Sequence, residues 1–183
     1  MNLIDKHVLV LELTEQLRNK GSWCGETHLQ KAVYFLQELL AVPMDFEFVL
    51  YKHGPFSFEL KDELALLRAY ELLELEPQPN GYGPKLGLSD PGLNFKIKFS
   101  EKIKLHHKKI EWLADHLGTK GVVNLERLGT ALYVSREEEM SGKSDDEIIA
   151  RIVEFKPHIS PELAATAFRE VRQMELESKA IME

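Results

Sequence analysis

Between Glu76 and Gly92 the chain reads EPQPNGYGPKLGLSDPG. A run this dense in proline and glycine cannot be helical, because proline lacks an amide hydrogen and clashes with the preceding turn, while glycine loses the most conformational entropy on ordering. The segments on either side carry apolar residues at helical spacing, so the run divides the chain into two helical parts. At its C-terminal end PKLGLS and the following LNFKIKFS alternate as strands do, joined at Asp90-Pro91-Gly92. In the second, Phe95, Ile97 and Phe99 would face one way and Lys96 and Lys98 the other. The spacing predicts a two-stranded wing.

Upstream, residues 3 to 19 keep Leu3, Val10, Leu13 and Leu17 on one face, with Gly21 just beyond as a stop. The next helix, THLQKAVYFLQELLAV, carries Leu29, Val33, Phe35, Leu36 and Leu40, with Thr27 or Ser22 as its cap and Pro43 as its terminator. DFEFVLY then changes to the alternation of a short strand. A third helix is expected from about Ser57, its cap, to Leu75. Helices followed by a glycine-rich hairpin give the order of a winged helix-turn-helix domain.

Downstream, the periodicity predicts four helices: 101–118 ending at Gly118, 124–139, 144–155 opening with a Ser144-to-Glu147 capping box, and one opening with Ser160 as cap and Pro161 at its first position. The expected fold is mainly α. A winged helix-turn-helix-like N-terminal half with a small β wing, residues 1–100, is followed by a helical C-terminal half, residues 101–183, packed on it. No Gly/Ser-rich linker separates the halves, which favours one compact unit.

Composition narrows the function. With 44% hydrophobic and 29% charged residues in a chain of 183, a single substantial core is expected and disorder is not. No apolar run approaches the roughly 20 residues of a membrane span, and MNLIDKHVLVLELTEQ carries acids where a secretory signal is apolar. No membrane association and a cytoplasmic location are expected. The one cysteine, Cys24, fits a reducing compartment and reads as a small, semi-buried apolar residue. A net charge of -7 opposes unguided attraction to nucleic acid.

Motifs that would carry chemistry fail on spacing. Gly142-Lys143-Ser144 resembles the tail of a phosphate-binding loop, but the required upstream glycine is Glu137. Glycines 81, 83 and 87 miss the dinucleotide-loop spacing, and Pro84 removes a useful amide. His107, Glu111 and Asp115 would share a helix face as metal ligands do, and a solvated charged face gives the same string. Ser57 beside His53 lacks an assignable orienting acid and reads better as a helix cap. No catalytic residue, cofactor or metal site is expected.

Charge placement is more informative. Residues 57–76 hold Glu59, Asp62, Glu63, Glu71, Glu74 and Glu76 against Lys61 and Arg68, a net charge of -4 on the helix that would enter a DNA groove. Lys96, Lys98, Lys102, Lys104, Lys108 and Lys109 against Glu101 make 96–109 basic by +5, a candidate phosphate-binding patch or a plain solvated face. Opposed patches also suit a protein partner or a homo-oligomer. Between strand and third helix lies YKHGPFS, a joint whose Tyr51, His53, Gly54, Pro55 and Phe56 form a partner-binding surface if the loop is exposed.

HLQKAVYFLQELL followed by YKHGPFSFEL resembles the Panacea domain, the SocA-like antitoxin module, whose pattern pairs a Leu-x-Lys-Leu-x-Tyr-Phe helix with a later Tyr-Gly-Pro. The chain resembles more closely the related YwgA-like bacterial and archaeal proteins, through the Gly-Pro-Phe/Tyr-Ser joint, an LERLGTALY-type helix and an ending like EIIARIVEFKPHISPELAATAF. The motif falls on Leu29, Lys31, Tyr34, Phe35, Tyr51, Gly54 and Pro55, with Lys52 and His53 inserted before the glycine. The resemblance implies a mainly helical winged-helix-like fold without known enzyme activity. It also implies protein contacts such as toxin neutralisation or presentation to a protease. The expected function is a non-enzymatic protein-interaction module, antitoxin-like, with a DNA-binding regulator using the basic wing as the alternative.

Overall fold

The computed structural model describes residues 1–78 and 83–182, and the chain is mainly helical with two short antiparallel hairpins. Helix α1 (Leu3–Asn19) starts where the Asn2 side chain accepts from the Asp5 amide at 2.9 Å. Helix α2 (Glu26–Glu38) has every residue from His28 to Leu36 buried, as a helix enclosed on all sides must. It packs against α1, the third helix, the first hairpin and two helices of the C-terminal half. Its cap is neither Thr27 nor Ser22 but Gly25, in extended backbone and without a side-chain hydrogen bond.

The strand expected over 45–51 is confined to β1 (Val49–Tyr51), which pairs with β2 (Gly54–Phe56) in the register Val49 to Phe56, Leu50 to Pro55 and Tyr51 to Gly54. Helix α3 (Phe58–Ala69) is capped by Ser57 as expected, but it stops six residues before Leu75. The cause is Glu71, whose φ of 58° places it in the left-handed region, so that the Leu72 amide turns back to the Leu67 carbonyl at 2.9 Å. The chain then enters β3 (Leu73–Glu76), which pairs with β4 (Lys85–Leu88). Within the proline- and glycine-rich run, Pro79, Gly81 and their neighbours at 79–82 lie outside the described residues.

The second wing strand is not a strand. Residues 90–98 form helix α4 (Asp90–Lys98), and Asp90-Pro91-Gly92 is its first turn rather than a hairpin loop. Ser89 caps it by accepting from the Gly92 amide at 3.0 Å, and Pro91 sits where its missing amide hydrogen costs nothing. Phe95 and Phe99, four residues apart, pack with tilted rings whose centroids are 4.8 Å from each other, so the Phe-Lys alternation is resolved as a helix face. The β partner is β3, upstream, instead.

The helix expected over 101–118 is broken into α5 (Ser100–Lys104) and α6 (His107–Leu117), with Leu105 exposed at the break. Both pieces lean on α1. Helix α7 (Val122–Ser135) ends before a 3₁₀ turn at Glu138–Met140. Helix α8 (Asp145–Phe155) carries the expected Ser144–Glu147 capping box, and α9 (Pro161–Met182) begins with the Leu163 amide on the Ser160 hydroxyl at 3.4 Å. One continuous apolar core joins Leu13 and Phe35 to Leu113, Leu128 and Phe168, so the parts before and after residue 100 share their interior. Burying Phe35 alone contributes roughly 2 to 3 kcal/mol. Among the described residues no helix is long and apolar enough to cross a membrane.

Candidate functional site

The stretch YKHGPFS is a β-hairpin with Lys52 and His53 at its tip, followed directly by the α3 cap. The Ser57 hydroxyl accepts from the Leu60 amide at 3.2 Å. Gln30, on α2, grips the same residue twice: its Oε1 accepts from the Ser57 amide at 2.8 Å, and its Nε2 donates to the Ser57 carbonyl at 2.9 Å. Ser57 is fully buried and committed to structure.

Two buried lysines hold the hairpin from beneath. Lys31 of α2, 1% exposed, donates from Nζ to the Pro55 carbonyl at 2.9 Å. Lys156, just past α8, donates to the carbonyls of Tyr51 at 2.6 Å and Lys52 at 2.7 Å. Removing an ammonium from water is costly, and burial pushes the Lys31 pKa down from 10.5 to about 8, with Glu126 pulling it up and Lys156 adding to the fall. Glu126 of α7 is the buried counter-charge. Its carboxylate lies 3.2 Å from His158 Nε2, 3.5 Å from Lys156 Nζ and 3.7 Å from His53 Nδ1.

Backbone contact explains two glycines. Gly54 has φ +85°, and a Cβ there would lie 3.3 Å from the Glu126 carbonyl oxygen and 3.4 Å from Lys31 Cε. On α7, a Cβ at Gly129 would come within 2.9 Å of Pro55 Cδ. The hairpin therefore rests on the backbone of α7 between Glu126 and Gly129.

What the hairpin presents outward is aromatic. Tyr51 and Phe58 are 55% and 56% exposed, and with half-buried Phe56 they form a mutually packed triad with centroids 5.1 to 5.9 Å apart. Exposed Val49 extends the patch, and along the chain exposed Glu47, Glu59 and Asp62 border it together with exposed Lys52 and Lys61. A pocket of about 300 Å³ beside the tip is lined by Lys31, Tyr51, His53 and Phe56. Of the five residues expected to meet a partner, Tyr51 and His53 are exposed, Phe56 is half-buried, and Gly54 and Pro55 are buried against α7.

The basic residues are placed differently. Lys96 is half-buried in ion pairs with Glu15 and, at 3.1 Å, Glu12. Lys102 pairs with Asp5 at 3.2 Å, Lys104 with Glu101 at 2.6 Å, and Lys109 donates to the Leu40 carbonyl at 2.8 Å. Lys98 lies over the Phe99 ring, and Lys108 is exposed. His107 reaches Glu12 at 3.2 Å while Asp115 pairs with Lys20 at 2.5 Å, so these two side chains of the His107, Glu111 and Asp115 string are engaged with α1 and the residue after it.

Sequence reasoning singled out Lys31 through its motif but not Glu126, Lys156 or His158. The readable signal was charge inside apolar runs, the lysine in HLQKAVYF and the glutamate in LERLG, with Lys156 following a helix end. No protein-family model matches the chain, and no curated protein matches its sequence.

Proposed function

We propose that the chain is a non-enzymatic protein-interaction module of winged-helix type, with the Val49–Phe58 hairpin and helix cap as its docking surface. The observation that carries this reading is the exposed Tyr51, Phe56 and Phe58 triad on a hairpin anchored by two buried lysines. Aromatic side chains contribute large contact area at low entropic cost, and a preformed surface avoids ordering losses on binding. The acids at 47, 59 and 62 with the lysines at 52 and 61 favour a partner with an apolar socket and a rim of mixed charge. Neutralising a toxin, the role the resemblance to antitoxin modules implies, is one form of such contact. Helices α1 to α3 followed by the β3–β4 hairpin support the winged-helix reading.

The regulator reading draws less support. Binding to a nucleic-acid backbone releases counterions in proportion to free cations, and Lys96, Lys102, Lys104 and Lys109 already have partners within the chain. A photo-crosslinking amino acid placed at position 51 or 58 in the native cell tests the proposal, with position 143 as control. One polypeptide adduct shared by 51 and 58 and lacking at 143 is expected. No protein adduct, equal labelling at all three positions, or an adduct with a second copy of the chain alone would overturn it.

A further inference from the structure

Beyond the start of α2 from the hairpin pocket lies a cleft of about 650 Å³. Two helix N-termini open into it: α2, thirteen residues, behind Gly25, and α7, fourteen residues, behind Gly121. Neither has a side-chain cap, as is also true of α5 and α6, whereas α1, α3, α4 and α8 are capped by Asn2, Ser57, Ser89 and Ser144. The first-turn amides of residues 26–28 and 122–124 are therefore left without a capping acceptor, and both helix dipoles add positive potential. At Gly121 the backbone does not demand glycine: φ is -74°, and a Cβ would meet nothing within 4 Å.

The charges lining the cleft have the same sign as those dipoles. Arg68, Lys85 and Lys120 contribute cations, and Glu26 is the one acid among the described lining residues, on a chain whose net charge is -7. Lys120 is shared with Glu170, Lys85 lies over the Trp23 ring, and Arg68 donates from Nε to the Leu64 carbonyl. A second signal comes from His28, in the first turn of α2, which lines the cleft with its imidazole only 4% exposed and Nδ1 without a hydrogen-bond partner. Burial pushes its pKa down while a hydrogen bond to the Lys120 backbone pulls it up, and with Nδ1 unpartnered that nitrogen is the one open to a ligand's donor. Leu75 and Val122, both exposed, give the cleft an apolar part.

From this convergence we infer that the cleft binds a small phosphorylated molecule, its phosphate seated on the amides of the α2 and α7 N-termini and its organic part, bearing a hydroxyl or amine, directed to His28, Leu75 and Val122. Nothing covalent is required, and the site adjoins the pocket beside the hairpin tip, with which it shares Glu26 and Thr27.

The test titrates ¹⁵N-labelled protein with AMP and with inorganic pyrophosphate, with adenosine as the uncharged control. Amides of residues 25–28 and 121–124 are expected to shift with both anions and far less with adenosine. Gly121→Asp supplies a carboxylate cap of its own, so it should weaken AMP binding about tenfold or more while leaving the melting temperature unchanged or raised. If that variant fails to fold, Lys85→Glu carries the same expectation of weakened binding. Absence of shifts at millimolar anion, shifts elsewhere only, or full affinity in the folded variant overturns the inference.

Discussion

Lys31 offers a stability test that depends on the buried cluster itself. Its pKa is pushed from 10.5 to about 8, chiefly by desolvation, which corresponds to ~3 kcal/mol held against the charged form in the folded chain. A folded pKa below the unfolded one means that the unfolded state binds more protons between the two values. Stability from this group therefore rises as pH climbs from about 8 to 10.5, by at most ~1.4 kcal/mol per pH unit. Other groups oppose it. Burial pushes the Cys24 thiol up to about 12 and the Tyr34 phenol up as well, so their contributions fall as the unfolded forms ionise. The assay is therefore a difference: urea unfolding of wild type and Lys31→Met in parallel across this pH range. Wild type minus variant should climb by ~3 kcal/mol. A flat difference would mean that the ammonium reaches water and that the hairpin does not seal it.

Gly54→Ala forces a Cβ into left-handed backbone and against the Glu126 carbonyl, so unfolding free energy should fall by about 1 to 3 kcal/mol, read from the melting temperature; an unchanged value would refute the joint. Gly129→Ala places a methyl 2.9 Å from Pro55 Cδ and should lift the hairpin, visible as loss of the Tyr51 to Phe56 ring contacts by nuclear Overhauser measurements. Ser144→Ala removes the α8 capping box and should cost about 1 kcal/mol in denaturant unfolding.

Where a local rule decided the outcome, the sequence was readable. Ser144 with Glu147, Ser160 before Pro161, and Ser57 ahead of an acidic first turn each satisfy first-turn amides within three residues, and each helix starts there. The stretch 93–99 satisfied two periods at once. Its Phe-Lys alternation fits a strand, while Phe95 and Phe99 also stand four apart, and the choice fell to Ser89 and Pro91, a cap and first-turn proline that look equally like a turn. Glu71 gave no warning, because no local pattern marks a glutamate for left-handed backbone, and its carbonyl accepts from the Ser89 hydroxyl 18 positions on. The cluster under the hairpin was hidden for a different reason. Lys156 reaches Tyr51 across 105 positions, and no local pattern records which distant backbone a lysine will meet. Tyr51, His53 and Phe56 were legible as surface chemistry, but not what holds them rigid.

The central claim is that buried lysines fix the 49–58 segment as a preformed surface. Amide hydrogen exchange of this segment in wild type and Lys156→Met, which strips the donors from the Tyr51 and Lys52 carbonyls, tests it most directly. The wild-type Ser57 amide and the hairpin amides should exchange as slowly as the α3 interior, and the variant should lose that protection at 49–56 while α3 keeps it. Wild-type hairpin amides that exchange at the rate of free loops would contradict the claim.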